Sequence, residues 1–181
     1  MPLSITAAEK DKLLNCLEHS SKYLMDSTEG LSEAQWHFNP APDSWSVSQV
    51  VEHLTVLEGV FVEYRWPQLM QAPAGEPGID VEKMDAMILE TVPDRTTKIR
   101  APEMIAPTGR WAPPELLERF QANRRKTIGL ISTADLREHV GPHPVLGPLD
   151  AYQWLLAVGA HTQRHTRQIL EVKAHPEFPQ A

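Results

Sequence analysis

Four stretches of this chain carry apolar residues at helical intervals, and none shows the strict alternation that marks a half-buried β-strand. These stretches predict helices over about residues 6–27, 46–65, 113–131 and 149–174. Each is long enough to bury an apolar stripe against its neighbours, which favours helices packed on helices around one core. The sequence therefore predicts an all-α fold, a four-helix bundle that occupies residues 1–181 as a single domain.

The connections between the predicted helices are unequal in length. Residues 71–112 form a connection of about 40 residues, and loops of that length in a compact domain are usually functional. Such a crossover would also let the second and third helices run parallel. Within it, residues 80–90 could form a short extra helix, whereas the prolines disfavour a strand near 98–105. Residues 140–148 are interpreted as an irregular connection before the last helix.

His161 and His165 lie four residues apart in the last predicted helix. That spacing places two imidazoles on one helix face, with Cβ atoms about 5–6 Å apart, as in H-x-x-x-H zinc sites. Thr162 follows the first histidine, where a zinc protease would carry its catalytic Glu, so the segment argues against that class. The alternative interpretation is a pair of solvated histidines on a helix surface.

His53 lies in the apolar stripe of the second predicted helix, which consists of Val50, His53, Leu54, Leu57, Phe61 and Tyr64. A buried imidazole needs partners for both ring nitrogens. His53 could be a core histidine satisfied by hydrogen bonds, or it could join the pair on the last helix. In the second case, His53, His161 and His165 would supply three neutral ligands and leave a position open, as in catalytic zinc sites.

Composition excludes several other classes. The formal charge of −7 and the pI near 5.6 argue against nucleic acid as the main partner. A lone cysteine, Cys16, cannot form an internal disulfide, and its leucine neighbours favour a core position over a reactive thiol. The sequence has neither a long apolar run nor an apolar N-terminal segment, so we expect no membrane association and a cytoplasmic location.

Several short motifs follow one another in a characteristic order. Trp45-Ser46-Val47 opens the second helix, Glu52-His53-Leu54 lies within it, His143-Pro144 and Gly147-Pro148 precede the last helix, and Trp154 and the histidine pair lie on that helix. Together they resemble the DinB-like superfamily of metal-binding four-helix bundles, which includes YfiT-type proteins described as hydrolases and thiol transferases. The resemblance extends over about residues 13–172.

This resemblance implies a bundle of up-down-down-up type with a long connection between helices two and three. It implies a divalent metal, most often zinc or nickel, held by three histidines that match His53, His161 and His165. It also implies a small-molecule substrate and homodimers. The implied activity is that of a low-molecular-weight-thiol S-transferase, with the thiol as co-substrate, or of a hydrolase.

Two other functions stay open at this stage. A non-catalytic protein could use the three histidines only to stabilise its bundle, and could act in a stress response or as an interaction protein. A two-iron carboxylate centre would need Glu-x-x-His pairs from two helices, and the last helix lacks such a pair, so this function is set aside.

The sequence indicates only general roles for the residues around the three histidines. Gln168 lies one turn after His165 and could orient a ligand, whereas Glu58 is a weak candidate because it lies about 140° round the helix from His53. We expect His143 to shape the mouth of the site and Trp111 to contact the substrate. No general base can be identified.

Overall fold

The computed structural model describes residues 4–75, 80–97 and 100–180. The helices are α1 (Ala7–Thr28), α2 (Glu33–His37), α3 (Val47–Val60), a π-helical turn (Phe61–Arg65), α4 (Trp66–Met70), α5 (Val81–Thr91), a 3-10 turn (Glu103–Ile105), α6 (Pro113–Leu130) and α7 (Ala151–Lys173). The strands are β1 (Val140–His143) and β2 (Gly147–Asp150). The predicted all-α fold is confirmed, and the predicted short helix near 80–90 is α5.

Helices α1 and α7 lie side by side and run parallel. Near their starts, the Tyr152 hydroxyl donates to the Glu9 carbonyl at 3.0 Å, and near their ends Lys173 Nζ donates to the Ser27 carbonyl at 2.7 Å. Between these points the packing is close, because a Cβ added at Gly159 would lie only 2.6 Å from the Cys16 sulfur. Cys16 is thus a buried core residue, as its leucine neighbours predicted.

Helices α3 and α6 also run parallel. Thr55 Oγ1 donates to the Leu116 carbonyl at 3.4 Å, and further towards the C-terminal ends of both helices Arg124 pairs with Glu58. Such an arrangement of consecutive long helices requires a crossover, which residues 71–112 supply.

Helix α7 is antiparallel to α3. The His53 ring lies 4.7 Å from that of His165, and the Phe61 ring lies 6.0 Å from that of Trp154. With the two parallel pairs, this direction gives the up-down-down-up bundle that the resemblance implied.

A small β-hairpin occupies the segment predicted to be irregular. Strands β1 and β2 pair antiparallel, with Val140 opposite Asp150 and His143 opposite Gly147. Pro142 faces Pro148 in this register, and these prolines concealed the strands because they cannot donate ladder hydrogen bonds. Asp150 ends the hairpin and caps α7, so this helix begins two residues later than predicted.

The second predicted helix differs from its expected course at the π-helical turn. The Trp66 N–H donates to the Phe61 carbonyl, five residues back, so this turn holds an extra residue. The extra residue rotates Tyr64 out of the apolar stripe, and it is 64% exposed. Pro67 does not end the helix, because it lies in the first turn of α4, where its missing N–H has no helical partner to lose.

A buried polar group crosses the middle of the bundle and touches all four long helices. Arg124 of α6 forms a two-pronged ion pair with Glu58 of α3, at 2.7 and 3.0 Å. Its remaining N–H groups donate to Ser20 Oγ of α1 and Thr162 Oγ1 of α7, each at 2.8 Å. The group fixes the spacing of α3 and α7, the two helices that carry the three histidines.

None of the helices in the described ranges is both apolar and long enough to cross a membrane.

Candidate metal centre

The imidazoles of His53, His161 and His165 converge on one point between α3 and α7. Their ring centroids lie 4.4–5.3 Å apart, and one nitrogen of each lies within 4.8 Å of the others. The two α7 histidines converge because they are one turn apart, and His53 joins them because α3 runs antiparallel beside α7. The structure thus brings together the three histidines that the sequence singled out.

The orientation of His53 is fixed by the long connection. Its Nδ1 lies 2.8 Å from the Ile105 carbonyl, and a carbonyl can only accept, so Nδ1 carries the proton. This tautomer leaves Nε2 as the lone-pair nitrogen of His53. A metal-ligating histidine characteristically donates its other ring N–H in this way.

The neighbouring Glu52 holds that part of the connection in place. Its carboxylate is buried and accepts hydrogen bonds from the backbone N–H groups of Thr108 and Gly109, at 2.9 and 2.7 Å. The Arg110 side chain donates to the same carboxylate at 3.1 Å. Burial alone would raise the pKa of Glu52, but these donors outweigh it and hold the pKa below its ordinary value.

His165 is oriented by Gln168, the residue one turn further along α7. The distance from His165 Nδ1 to Gln168 Oε1 is 2.8 Å, which places the proton on Nδ1 and leaves Nε2 free to bind a metal. Arg95 donates to the same Gln168 oxygen at 3.3 Å and so fixes which end of the amide faces His165. Gln168 therefore has the orienting position that its spacing predicted.

His161 completes the cluster but lacks an outer partner. Its Nε2 lies 3.1 Å from Nε2 of His165, whereas its Nδ1 is buried and has no hydrogen-bond partner in the described residues. Two nitrogens that each lie about 2.0–2.1 Å from one ion are separated by roughly 3 Å, so the observed Nε2 spacing fits a shared cation. The three residues therefore fit a divalent metal by donor type and spacing, and His53 and His165 also by tautomer.

All three imidazoles are held neutral, as metal ligation requires. Burial lowers the pKa of His53, and its bond to the Ile105 carbonyl opposes this only in part. Burial and the neighbouring His53 lower the pKa of His165 to about 3. Burial, His165 and His53 lower the pKa of His161 well below its ordinary value.

The long connection is fastened to α7 beside the cluster. The Arg164 guanidinium contacts the carbonyls of Asp94 and Thr97, and Arg167 donates to the Pro93 carbonyl at 3.0 Å. Because these arginines flank His165 in the sequence, residues 92–97 lie against the metal-site end of α7. The connection thus contributes to the surroundings of the site, as its length suggested.

Sequence reasoning missed one aromatic neighbour of the site and left the role of another open. Trp45, which the sequence indicated only as part of the motif that opens the second helix, covers the cluster, with ring centroids 5.0 Å from His53 and 6.2 Å from His165. The Trp111 ring contacts the guanidinium groups of Arg110 and Arg119, at 5.1 and 4.6 Å, and no ring contact with the three histidines is found in the described residues; its contact with substrate stays a prediction. The signal that could have identified Trp45 is its position directly before Ser46, the residue that caps α3.

Two further candidates form hydrogen bonds or ion pairs away from the three histidines. The Glu58 carboxylate forms an ion pair with Arg124 and is not available to the metal site, which agrees with its assessment as a weak candidate. His143 closes the β-hairpin, because its Nδ1 accepts the backbone N–H groups of Val145 and Leu146 at 3.2 and 3.1 Å. Its role in shaping the mouth of the site stays a prediction.

Comparison with known proteins agrees with this geometry. A family profile described as the DinB superfamily matches residues 17–169, a span that includes all three histidines. The chain belongs to the DinB superfamily. Within this superfamily it is similar to YuaE of Bacillus subtilis (strain 168), an uncharacterized protein, at 26% identity over 148 residues, which are 80% of this chain and 86% of YuaE.

A solved structure has the same fold. YfiT from Bacillus subtilis, described as "a probable metal-dependent hydrolase with an unusual four-helix bundle topology", aligns with a TM-score of 0.63 and 20% sequence identity. The alignment covers 94% of this chain and 89% of YfiT. At this identity the likeness establishes the bundle, and the chemistry has to be argued from the site.

Proposed function

We propose that this DinB-superfamily protein is a metal-dependent enzyme that acts on a small molecule, with His53, His161 and His165 as the ligands of a divalent cation. Zinc and nickel are the metals we favour. The observation that carries the proposal is the convergence of three neutral imidazoles, two of them with their tautomers fixed by hydrogen bonds from Nδ1. A preoriented set of this kind is typical of a metal centre.

The chemistry of such a centre follows from its ligands. A divalent cation held by three neutral histidines keeps its positive charge and lowers the pKa of a bound water or thiol, which supplies a nucleophile at neutral pH. The chain's own residues orient the ligands: Ile105 through His53, and Gln168 with Arg95 through His165. Trp45 covers one side of the cluster and limits access of solvent there.

Two reaction classes suit this centre, hydrolysis and transfer of a low-molecular-weight thiol. The printed description of YfiT supports hydrolysis, and the family resemblance seen in the sequence supports either. We place hydrolysis first for this reason and retain the thiol S-transferase as the second candidate. We also retain a single domain over residues 1–181, a homodimer and a cytoplasmic location as predictions.

The test begins with protein made without an affinity tag, because a polyhistidine tag would bind metal itself. Elemental analysis gives the metal content as isolated, and metal-free protein is then reloaded with zinc or nickel. Activity is measured on a panel of esters and amides, and on electrophiles offered together with low-molecular-weight thiols. We expect turnover that requires the reloaded metal.

A matched pair of variants separates catalysis from a purely structural metal. His161→Ala should lose both metal and activity, whereas His19→Ala, which removes an exposed histidine of α1, should retain both. If the reloaded protein binds one metal tightly and turns over no substrate in either panel, the enzyme proposal is wrong and a structural metal takes its place.

A further inference from the structure

A second cluster of polar groups lies towards the hairpin end of α7. It consists of Arg65, His143 and Trp154, which we call the donor cluster. The His143 ring centroid lies 4.6 Å from that of Trp154, and the Arg65 guanidinium carbon lies 5.4 Å from the same indole. Arg65 comes from the π-helical turn, a departure from α-helix that is frequent at functional sites.

Each member of the donor cluster has a hydrogen-bond donor for which the described part of the chain offers no acceptor. Arg65 is half-buried and forms no ion pair or hydrogen bond with the described residues. The Trp154 side chain is 7% exposed, and its indole N–H is buried without a partner. An unsatisfied buried donor of this kind costs about 1–3 kcal/mol, so a ligand that accepts from it would relieve that cost.

His143 adds a third donor of known tautomer. Its Nδ1 accepts two backbone N–H groups, so in the neutral ring the proton is on Nε2. Burial and the neighbouring Arg65 lower its pKa to about 4, which keeps the ring neutral at pH 7. The Arg65 charge and the His143 N–H therefore adjoin the Trp154 indole, which carries an N–H donor of its own.

The donor cluster lies within reach of the metal centre. Trp154 precedes His161 by seven residues on α7, which is two turns along the same face and about 10 Å along the axis. Phe61 lies eight residues after His53, in the π-helical turn that follows the antiparallel α3, and its ring stacks on Trp154 at 6.0 Å. A ligand held at both places would therefore lie along α3 and α7.

We propose that Arg65, His143 and Trp154 form a carboxylate-binding subsite, and that the substrate carries a carboxylate some 10 Å from its reacting group. One cation beside two N–H donors matches a planar monoanion with two oxygens. A phosphate, with more charge and more acceptors, would call for further cations. The assignment of this carboxylate to the substrate rests on the proposed function, whereas anion binding at the subsite does not.

The subsite is tested by direct binding to metal-free protein. Protein labelled with ¹⁵N at tryptophan gives separate indole N–H resonances, and Trp154→Phe identifies the one that belongs to Trp154. The probe is sodium hexanoate, and hexan-1-ol is its neutral counterpart of equal length. We expect hexanoate, but not hexan-1-ol, to shift the Trp154 resonance in a saturable way at constant ionic strength.

Variants at Arg65 complete the test. Arg65→Gln should weaken hexanoate binding at least tenfold and Arg65→Lys less, whereas Arg125→Gln, which removes an exposed charge from α6, should leave it unchanged. The proposal is overturned if hexanoate leaves the Trp154 resonance in place, if hexan-1-ol shifts it equally, or if Arg65→Gln binds like the wild type. If Arg65→Gln does not fold, the hexanoate and hexan-1-ol comparison in the wild type decides. None of these outcomes depends on the metal, so failure here is distinct from failure of the metal-dependent function.

Discussion

Gln168 accepts a hydrogen bond from Nδ1 of His165 at 2.8 Å, and the two residues are one turn apart on α7. The bond leaves Nε2 of His165 to the metal. We therefore predict that Gln168→Ala lowers zinc affinity by about 10- to 100-fold, the usual effect of removing an outer partner of a ligand. Competition with a zinc chelator measures this, and Gln163→Ala, which removes a half-buried glutamine of the same helix, should change nothing. Equal affinities for the two variants would contradict the orienting role.

Glu52 should contribute to metal binding without touching the metal. Glu52→Gln replaces one accepting oxygen by an NH₂ group that faces backbone donors, so the segment 105–110 should loosen. We expect a loss of about 1–3 kcal/mol in the free energy of unfolding, and weaker zinc binding because His53 loses its Ile105 partner. Urea unfolding and chelator competition measure the two effects. Glu18→Gln on the exposed face of α1 is the matched control, and an E52Q protein indistinguishable from it would exclude this role of Glu52.

The metal-free protein should lose stability as the pH falls below about 6.5. The folded pKa of His165 is about 3 against an ordinary value of 6.5, so the unfolded chain binds a proton that the folded chain does not. Stability is therefore present above pH 6.5 and decreases as the pH falls towards 3. Unfolding in urea at pH 7 and pH 5 measures the change, and His165→Asn should reduce it. A free energy of unfolding that is the same at both pH values would contradict the burial of neutral imidazoles.

Zinc affinity should persist to lower pH than the ordinary pKa of histidine suggests. Three free imidazoles would begin to lose metal to protons below about pH 6. In the folded protein the pKa of each ligand histidine is already lowered, so protons compete less at the same pH. We predict little change in affinity between pH 7 and pH 5.5, measured by competition with a chelator of known pH dependence. A steep decrease over that range would mean that the site is not preformed.

Removing one partner of the central ion pair should be costly. Arg124→Met leaves the Glu58 carboxylate buried and unpaired, which typically costs about 3–5 kcal/mol. The double variant Arg124→Met with Glu58→Leu should recover part of that loss, because it leaves no unpaired charge. Urea unfolding of both variants measures this, and Arg125→Met is the exposed control. If the double variant is less stable than the single one, the pair contributes more than its burial costs, and this interpretation is wrong.

Helical periodicity predicted the bundle well because the core requires it. The positions of α1, α6 and α7 follow from apolar stripes that the structure buries, and the three histidines were found because their spacing on helices is readable. The π-helical turn could not be predicted, because the extra residue at Phe61–Arg65 leaves no signal in composition. Apart from Gln168, the residues that orient the histidines through hydrogen bonds could not be predicted either. Ile105 contributes a backbone carbonyl that any residue could supply, and Arg95 is 73 residues from Gln168 in the sequence.

The central claim is that His53, His161 and His165 together bind one metal ion. X-ray absorption at the zinc edge tests it most directly, on untagged protein loaded with one equivalent of zinc. The account predicts three imidazole nitrogens at about 2.0–2.1 Å in the wild type, and the loss of one from that shell in His53→Ala. A wild-type spectrum with fewer than three imidazoles, or a shell that His53→Ala leaves unchanged, would contradict it.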